Sequence, residues 1–153
     1  MATRRASHAN SWYSGNGQQL DRELTTWLAA TTQISTPARA VICPHAGYSY
    51  SGATAAHSFR QIDPNTVKTI FILGPSHHVR LSGCAVSQCT SYQTPLGDLT
   101  IDREITNELM ETGQNEDKTV RGKLLINILF MANNPQMLGL SCAKHRLTLV
   151  IVS

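Results

Sequence analysis

The sequence lacks any apolar run long enough to span a bilayer. Its longest, "LLINILFMA" at residues 124–132, is interrupted by Asn127 and has about half of the roughly 20 residues a spanning helix needs. No apolar run follows Arg4 and Arg5 either, so the start of the chain does not read as a secretory signal, and the expected compartment is the cytoplasm. Cys43, Cys84, Cys89 and Cys142 show no CxxC spacing, which argues against a zinc knuckle and, in a reducing compartment, against a disulfide frame. Charge of one sign is not concentrated. Residues 1–113 hold eight Lys/Arg and eight Asp/Glu, so the net charge of +3 comes from residues 114–153, and the basic face that a nucleic-acid partner would require is missing. Internal repeats and low-complexity segments are also missing. What remains, at 153 residues with 41% apolar and 15% charged content, is the composition of one globular domain.

Periodicity supplies the order of elements. Leu20, Leu24, Trp27 and Leu28 recur at helical spacing and predict an amphipathic helix over about residues 18–30. "ARAVIC" and "KTIFIL" read as strands, and their continuous apolar character predicts a parallel sheet covered on both faces. Between them "SGATAAHSFRQI" reads as a crossover helix with Ser51 as its N-cap. "CAVSQCTSY" and "GDLTID" flank "QTPL" as a hairpin or a pair of short strands. Asp102 then caps a short helix on which Ile105 and Leu109 share a face. The expected fold class is α/β, a mostly parallel sheet with flanking helices.

Both predicted strands run into proline and then histidine: "VICPH" ends on His45 and "IFILGPSHH" on His77 and His78. In open α/β sheets the loops past the carboxyl ends of neighbouring strands converge on a ligand crevice. If these two strands are neighbours, His45 and His77 face one pocket, and paired neutral imidazoles suit Zn, Cu, Fe or Ni. Pro44 and Pro75 stiffen the turns. Adjacent residues on a turn diverge, so His78 is assigned a supporting or substrate-contacting place. His57, within the crossover helix, and His8 read as packing or surface residues. The helix start after "AGYSYSG" presents backbone N–H groups and a positive dipole end, a candidate anion site flanked by Tyr48 and Tyr50. The alternative is that both tyrosines cover the sheet end. Trp12 and Tyr13 read either as a plug on the core or as the pocket rim.

The blocks "ASHANSWY", "PARAVICPHAGYSYSGATAAHSF", "IFILGPSHHV" and "YQTPLGDLTID", in that order, resemble the N-terminal half of the Memo family, over roughly residues 6–113. The resemblance implies a fold related to the class III extradiol dioxygenases, which use non-haem iron. It implies a protein of receptor-tyrosine-kinase-driven cell motility whose pocket binds a phosphotyrosine peptide of the receptor. Copper-dependent redox activity and the handling of copper or iron are also attributed to the family. By resemblance His45 and His77 fall on two metal-ligand positions, and Trp12 and Tyr50 join them as peptide-binding positions. Asn10 stands where glycine is usual, and Cys43 where alanine is common.

After "LMETG" the resemblance stops. Residues 1–113 are read as the N-terminal half of a Memo-like domain and residues 114–153 as a divergent tail, the mark of a truncated isoform. The tail's Cys142 and His145 match none of the family's later ligands and are set aside. The leading expectation is therefore a phosphotyrosine-peptide-binding protein with copper or iron in its pocket. A copper- or iron-dependent redox enzyme is the alternative, its shortened form inactive. A sheet cut to two or three strands would leave apolar faces and a strand edge uncovered.

Overall fold

The structure is a computed structural model that describes residues 2–34, 37–75, 84–112, 124–130 and 145–152, the last two segments as backbone strands. The elements in chain order are β1 (Thr3–Arg4), α1 (Gly17–Ala29), β2 (Ala40–His45), α2 (Tyr48–Phe59), β3 (Thr69–Pro75), β4 (Cys84–Val86), β5 (Ser91–Tyr92), β6 (Leu99–Ile101), α3 (Arg103–Glu111), β7 (Leu124–Phe130) and β8 (His145–Val152). The eight strands form one sheet in the order β1-β5-β6-β7-β3-β8-β2, and β4 pairs with β7 beside β6.

The sheet is mixed, which corrects the expectation of a mostly parallel one. β2 with β8, β3 with β7 and with β8, β5 with β6, and β6 with β7 are all antiparallel; β1 with β5 and β4 with β7 are parallel. The physical reason lies in the tail. β7 runs against β3 over Thr69–Pro75, and β8 lies between β2 and β3, with Val150 opposite both Val41 and Ile72. Both tail strands therefore take interior places in the sheet. β2 and β3 still point the same way, because each is antiparallel to β8, but they are not neighbours. Their ends are separated by two strand spacings, roughly 10 Å.

β2 is an edge strand, and its exposure alternates. Val41, Cys43 and His45 are buried while Ile42 is 59% exposed. A continuous apolar run thus turned out to be covered on one face. That cover is α2, whose Ala55 and Phe59 join Val41, Cys43, Ile62, Ile70, Ile72 and Ile101 in the main core cluster. Burying each of the larger side chains contributes about 1.5–3 kcal/mol before entropy is subtracted.

The helices obey their local signals with one shift. Asn16 caps α1, its Oδ1 accepting from Gln19 N–H at 2.9 Å, and Asp102 caps α3 in the same way toward Ile105 at 3.0 Å. α2 begins at Tyr48 with Gly47 as N-cap, not at Ser51. Ser51 lies in the first turn instead, and its hydroxyl donates to the Ala46 carbonyl at 2.8 Å. The hairpin around "QTPL" forms between β5 and β6. Among the described residues, no helix is long and apolar enough to cross a membrane.

Candidate functional site

His45 closes β2. It is the strand's last residue rather than a residue of the following turn, and it is 8% exposed with its Nε2 buried. The ladder slips between Cys43 and His45, at Pro44, a residue with no N–H to give to a neighbour. In register, His45 stands opposite His145, the first residue of β8. Setting His145 aside on sequence grounds overlooked this placement, for a reason no local pattern could reveal: the pairing spans the whole β2–β8 separation. His77, His78 and Cys142 lie outside the described residues.

The turn after His45 is roofed by the N-terminal segment. Asn10 adopts φ 65°, a left-handed conformation that asparagine tolerates far better than most side chains. Glycine would serve the same backbone. Around it the chain doubles back, with Asn10 N–H donating to Tyr13 C=O at 2.8 Å and Trp12 N–H to His8 C=O at 2.9 Å. The Asn10 side-chain oxygen accepts from Gly15 N–H at 3.0 Å. The outcome is that Trp12 sits against Gly47. Tyr48 N–H donates to the Trp12 carbonyl at 2.8 Å, and a Cβ built on Gly47 would lie 3.8 Å from the Trp12 ring.

The aromatic residues divide into two groups. Tyr48 is 4% exposed and packs at 5.5 Å from Tyr13 and, edge-on, at 6.2 Å from Trp27, contacts worth about 0.5–1.5 kcal/mol each beyond area burial. This group packs the start of α2 against Leu20 and Leu24 of α1. Tyr50 is 87% exposed, and half-buried Trp12 lies with its ring 5.7 Å from that of His8. His8 thus borders Trp12, a contact that the sequence reading missed. The signal that could have found it is the asparagine at a glycine position five residues before Gly15, which marks a sharp reversal.

The start of α2 is less open to an anion than the sequence suggested. The Tyr48 N–H is used by the Trp12 carbonyl, and Tyr50 and Ser51 N–H both donate to Gly47 C=O. Gly52 faces α1 rather than a ligand: a Cβ there would meet the Trp27 ring at 2.4 Å. Tyr13 has its phenol pKa raised, chiefly by burial and then by Tyr92, with Arg4 opposing. Among the described residues no group of three or more His, Cys, Asp or Glu could hold a metal ion. A separate groove of about 360 Å³ runs along β2, lined by Ile34, Ile42, exposed His57 and Gln61 among others. None of Trp12, His45 or Tyr50 lines it.

Residues 4–124 match the family described as Memo-like protein. The chain belongs to the Memo-like family. It is 53% identical over 116 residues to protein MEMO1 of Danio rerio and 54% identical over 116 residues to that of Homo sapiens, covering 76% of this chain and 39% of each relative. It is also 57% identical over 111 residues to the memo-1 homolog of Caenorhabditis elegans, covering 72% of this chain and 31% of that protein. The chain therefore spans about two fifths or less of the length of these Memo-like relatives. The matched region holds Trp12, His45, Tyr50 and the turn that joins them, and it ends where β7 begins.

Proposed function

We propose that this Memo-like chain binds a phosphotyrosine peptide of a receptor tyrosine kinase at the carboxyl end of β2, in cytoplasmic cell-motility signalling. The observation that carries the reading is the placement of half-buried Trp12 against Gly47, at the turn between buried His45 and 87% exposed Tyr50. Flat aromatic faces beside a helix start suit the phenyl ring of a phosphotyrosine, and the helix dipole still favours its phosphate although the Tyr48, Tyr50 and Ser51 N–H groups are already engaged. His77 would complete the pocket, with His78 beside it. The reading carries with it the family's relationship to the class III extradiol dioxygenases.

A pocket metal, copper or iron, is proposed on His45 and His77, because neutral imidazole suits both ions; with β8 between β2 and β3 the strands are not the neighbours the sequence suggested, so both side chains must reach across that gap. Two imidazoles hold a divalent ion less firmly than a three- or four-ligand cage, so the metal would be readily chelated. The peptide-binding reading needs no step through it.

Titration of the chain with a phosphotyrosine peptide and its unphosphorylated form tests the proposal. Phosphate-dependent binding that falls by about tenfold or more in Trp12→Ala is expected, that being the loss of one aromatic anchor. Equal affinities for both peptides would refute it.

A further inference from the structure

The N-terminal segment carries chemistry that the pocket does not use. Arg4-Arg5-Ala6-Ser7 is the one place in the sequence where two arginines adjoin. Ser7 and Arg5 are exposed, and the Arg4 guanidinium lies over the Tyr92 ring at 4.7 Å. Ser7 Oγ lies 3.0 Å from His8 Nδ1, and the His8 ring borders Trp12 at 5.7 Å.

We propose that Ser7 is a phosphate acceptor for a serine kinase that reads arginines two and three residues before the acceptor. Guanidinium groups present a rigid fork that matches carboxylates, so two of them at fixed spacing set the register of a hydroxyl against an acidic kinase cleft. The fold permits the approach. β1 is two residues long and lies at the outer edge of the sheet. It is held there by its ladder to β5, by Thr90 N–H to Ala2 C=O at 2.8 Å and by Gln93 N–H to Arg4 C=O at 2.9 Å. A two-residue strand on a sheet edge opens at low cost, and opening straightens the local turn in which Ser7 N–H donates to Arg5 C=O at 2.9 Å.

In the transfer, Ser7 Oγ attacks the γ-phosphorus of Mg-ATP. The new O–P bond forms as the bond from that phosphorus to the bridging oxygen breaks, ADP departs, and the hydroxyl proton passes to the catalytic carboxylate of the kinase. The product carries a charge of roughly −1.5 to −2 at neutral pH, placed beside His8 and so at the rim to which Trp12 belongs.

The experiment incubates the full chain with Mg-ATP and the catalytic subunit of cAMP-dependent protein kinase, chosen as an arginine-reading probe, and locates phosphate by fragmentation mass spectrometry. One phosphate per chain on Ser7 is expected, absent in Ser7→Ala, with Arg4→Ala and Arg5→Ala each lowering kcat/KM by about tenfold or more through loss of a charge-assisted contact. Incorporation that survives Ser7→Ala overturns the assignment. So does a native chain that takes up no phosphate, whether or not a synthetic peptide of residues 2–12 is modified. Tryptophan emission should shift on stoichiometric modification, and Trp12→Phe should remove the shift; unchanged emission overturns the link to Trp12.

Discussion

The backbone N–H of Tyr48 donates to the backbone carbonyl of Trp12 at 2.8 Å, so the roof over the His45 turn is held by main chain, not by the indole. This separates two roles of Trp12. Trp12→Ala leaves that bond intact, and the expected loss of stability is about 1 kcal/mol, as for a half-buried side chain. Chemical denaturation beside the peptide titration checks this. A loss of several kcal/mol would make Trp12 a core residue, and any binding defect would then follow from unfolding.

Gly47, the N-cap of α2, and Gly52 within the helix should answer alanine to different degrees. At Gly47 a Cβ would meet nothing closer than the Trp12 carbonyl at 3.5 Å, and φ −55° with ψ 144° suits any residue. Gly47→Ala should cost less than about 1 kcal/mol, the difference between two cap residues. At Gly52 the Cβ would meet three atoms of the Trp27 ring within 2.7 Å. Overpacking of about 1–3 kcal/mol outweighs the helix-propensity gain of about 1 kcal/mol. Gly52→Ala should lower the thermal midpoint, and adding Trp27→Leu should recover part of the loss. A stabilised Gly52→Ala would show that the indole moves aside freely.

Asn10 should tolerate glycine better than alanine. Both lose the Oδ1 acceptor of Gly15 N–H, 3.0 Å away, at about 0.5–1.5 kcal/mol. Alanine must also adopt the observed φ of 65°, which adds about 1–2 kcal/mol. Comparing urea midpoints of Asn10→Gly and Asn10→Ala decides it; equal midpoints would mean that the turn relaxes.

These contacts mark what could be read in the residues. The helix stripe of Leu20 and Leu24 and the Asp102 cap follow from patterns within a few residues. The sheet order does not. β8 enters between β2 and β3 through pairings far apart in sequence, and such pairings leave no local signature beyond an apolar run. Parallel neighbours were expected for that reason. Near the His45 turn, Trp12 and Tyr50 stood out as aromatics among small residues, and their assignment to a peptide pocket came from the family resemblance, whereas His8 reaches Trp12 only through the reversal at Asn10.

Alkaline pH should weaken the fold through Tyr13. Its pKa is raised in the folded chain, first by burial and second by Tyr92, from an ordinary value of 10.0. The stabilisation from a neutral phenol is complete below that value. As pH rises through it, the unfolded chain releases a proton that the folded chain keeps, so stability falls. Urea melts from neutral to strongly alkaline pH should show a shallower decline for Tyr13→Phe than for the wild type. Parallel declines would assign the effect to other groups.

The interior place of β8 gives the most demanding test. Val150 pairs with Val41 on one side and Ile72 on the other, so its peptide group belongs to a strand bonded along both edges. Proline there removes a donor and brings a ring into the ladder, a change confined in natural sheets to edges, strand starts and bulges. Val150→Pro should cost about 3 kcal/mol or more, enough to unfold a marginally stable domain. Thr3→Pro is the matched control, because β1 is a two-residue strand at the sheet's outer edge, and it should cost less than about 1 kcal/mol. Equal effects in circular dichroism melts would remove β8 from the interior of the sheet, and with it the register that sets His145 opposite His45.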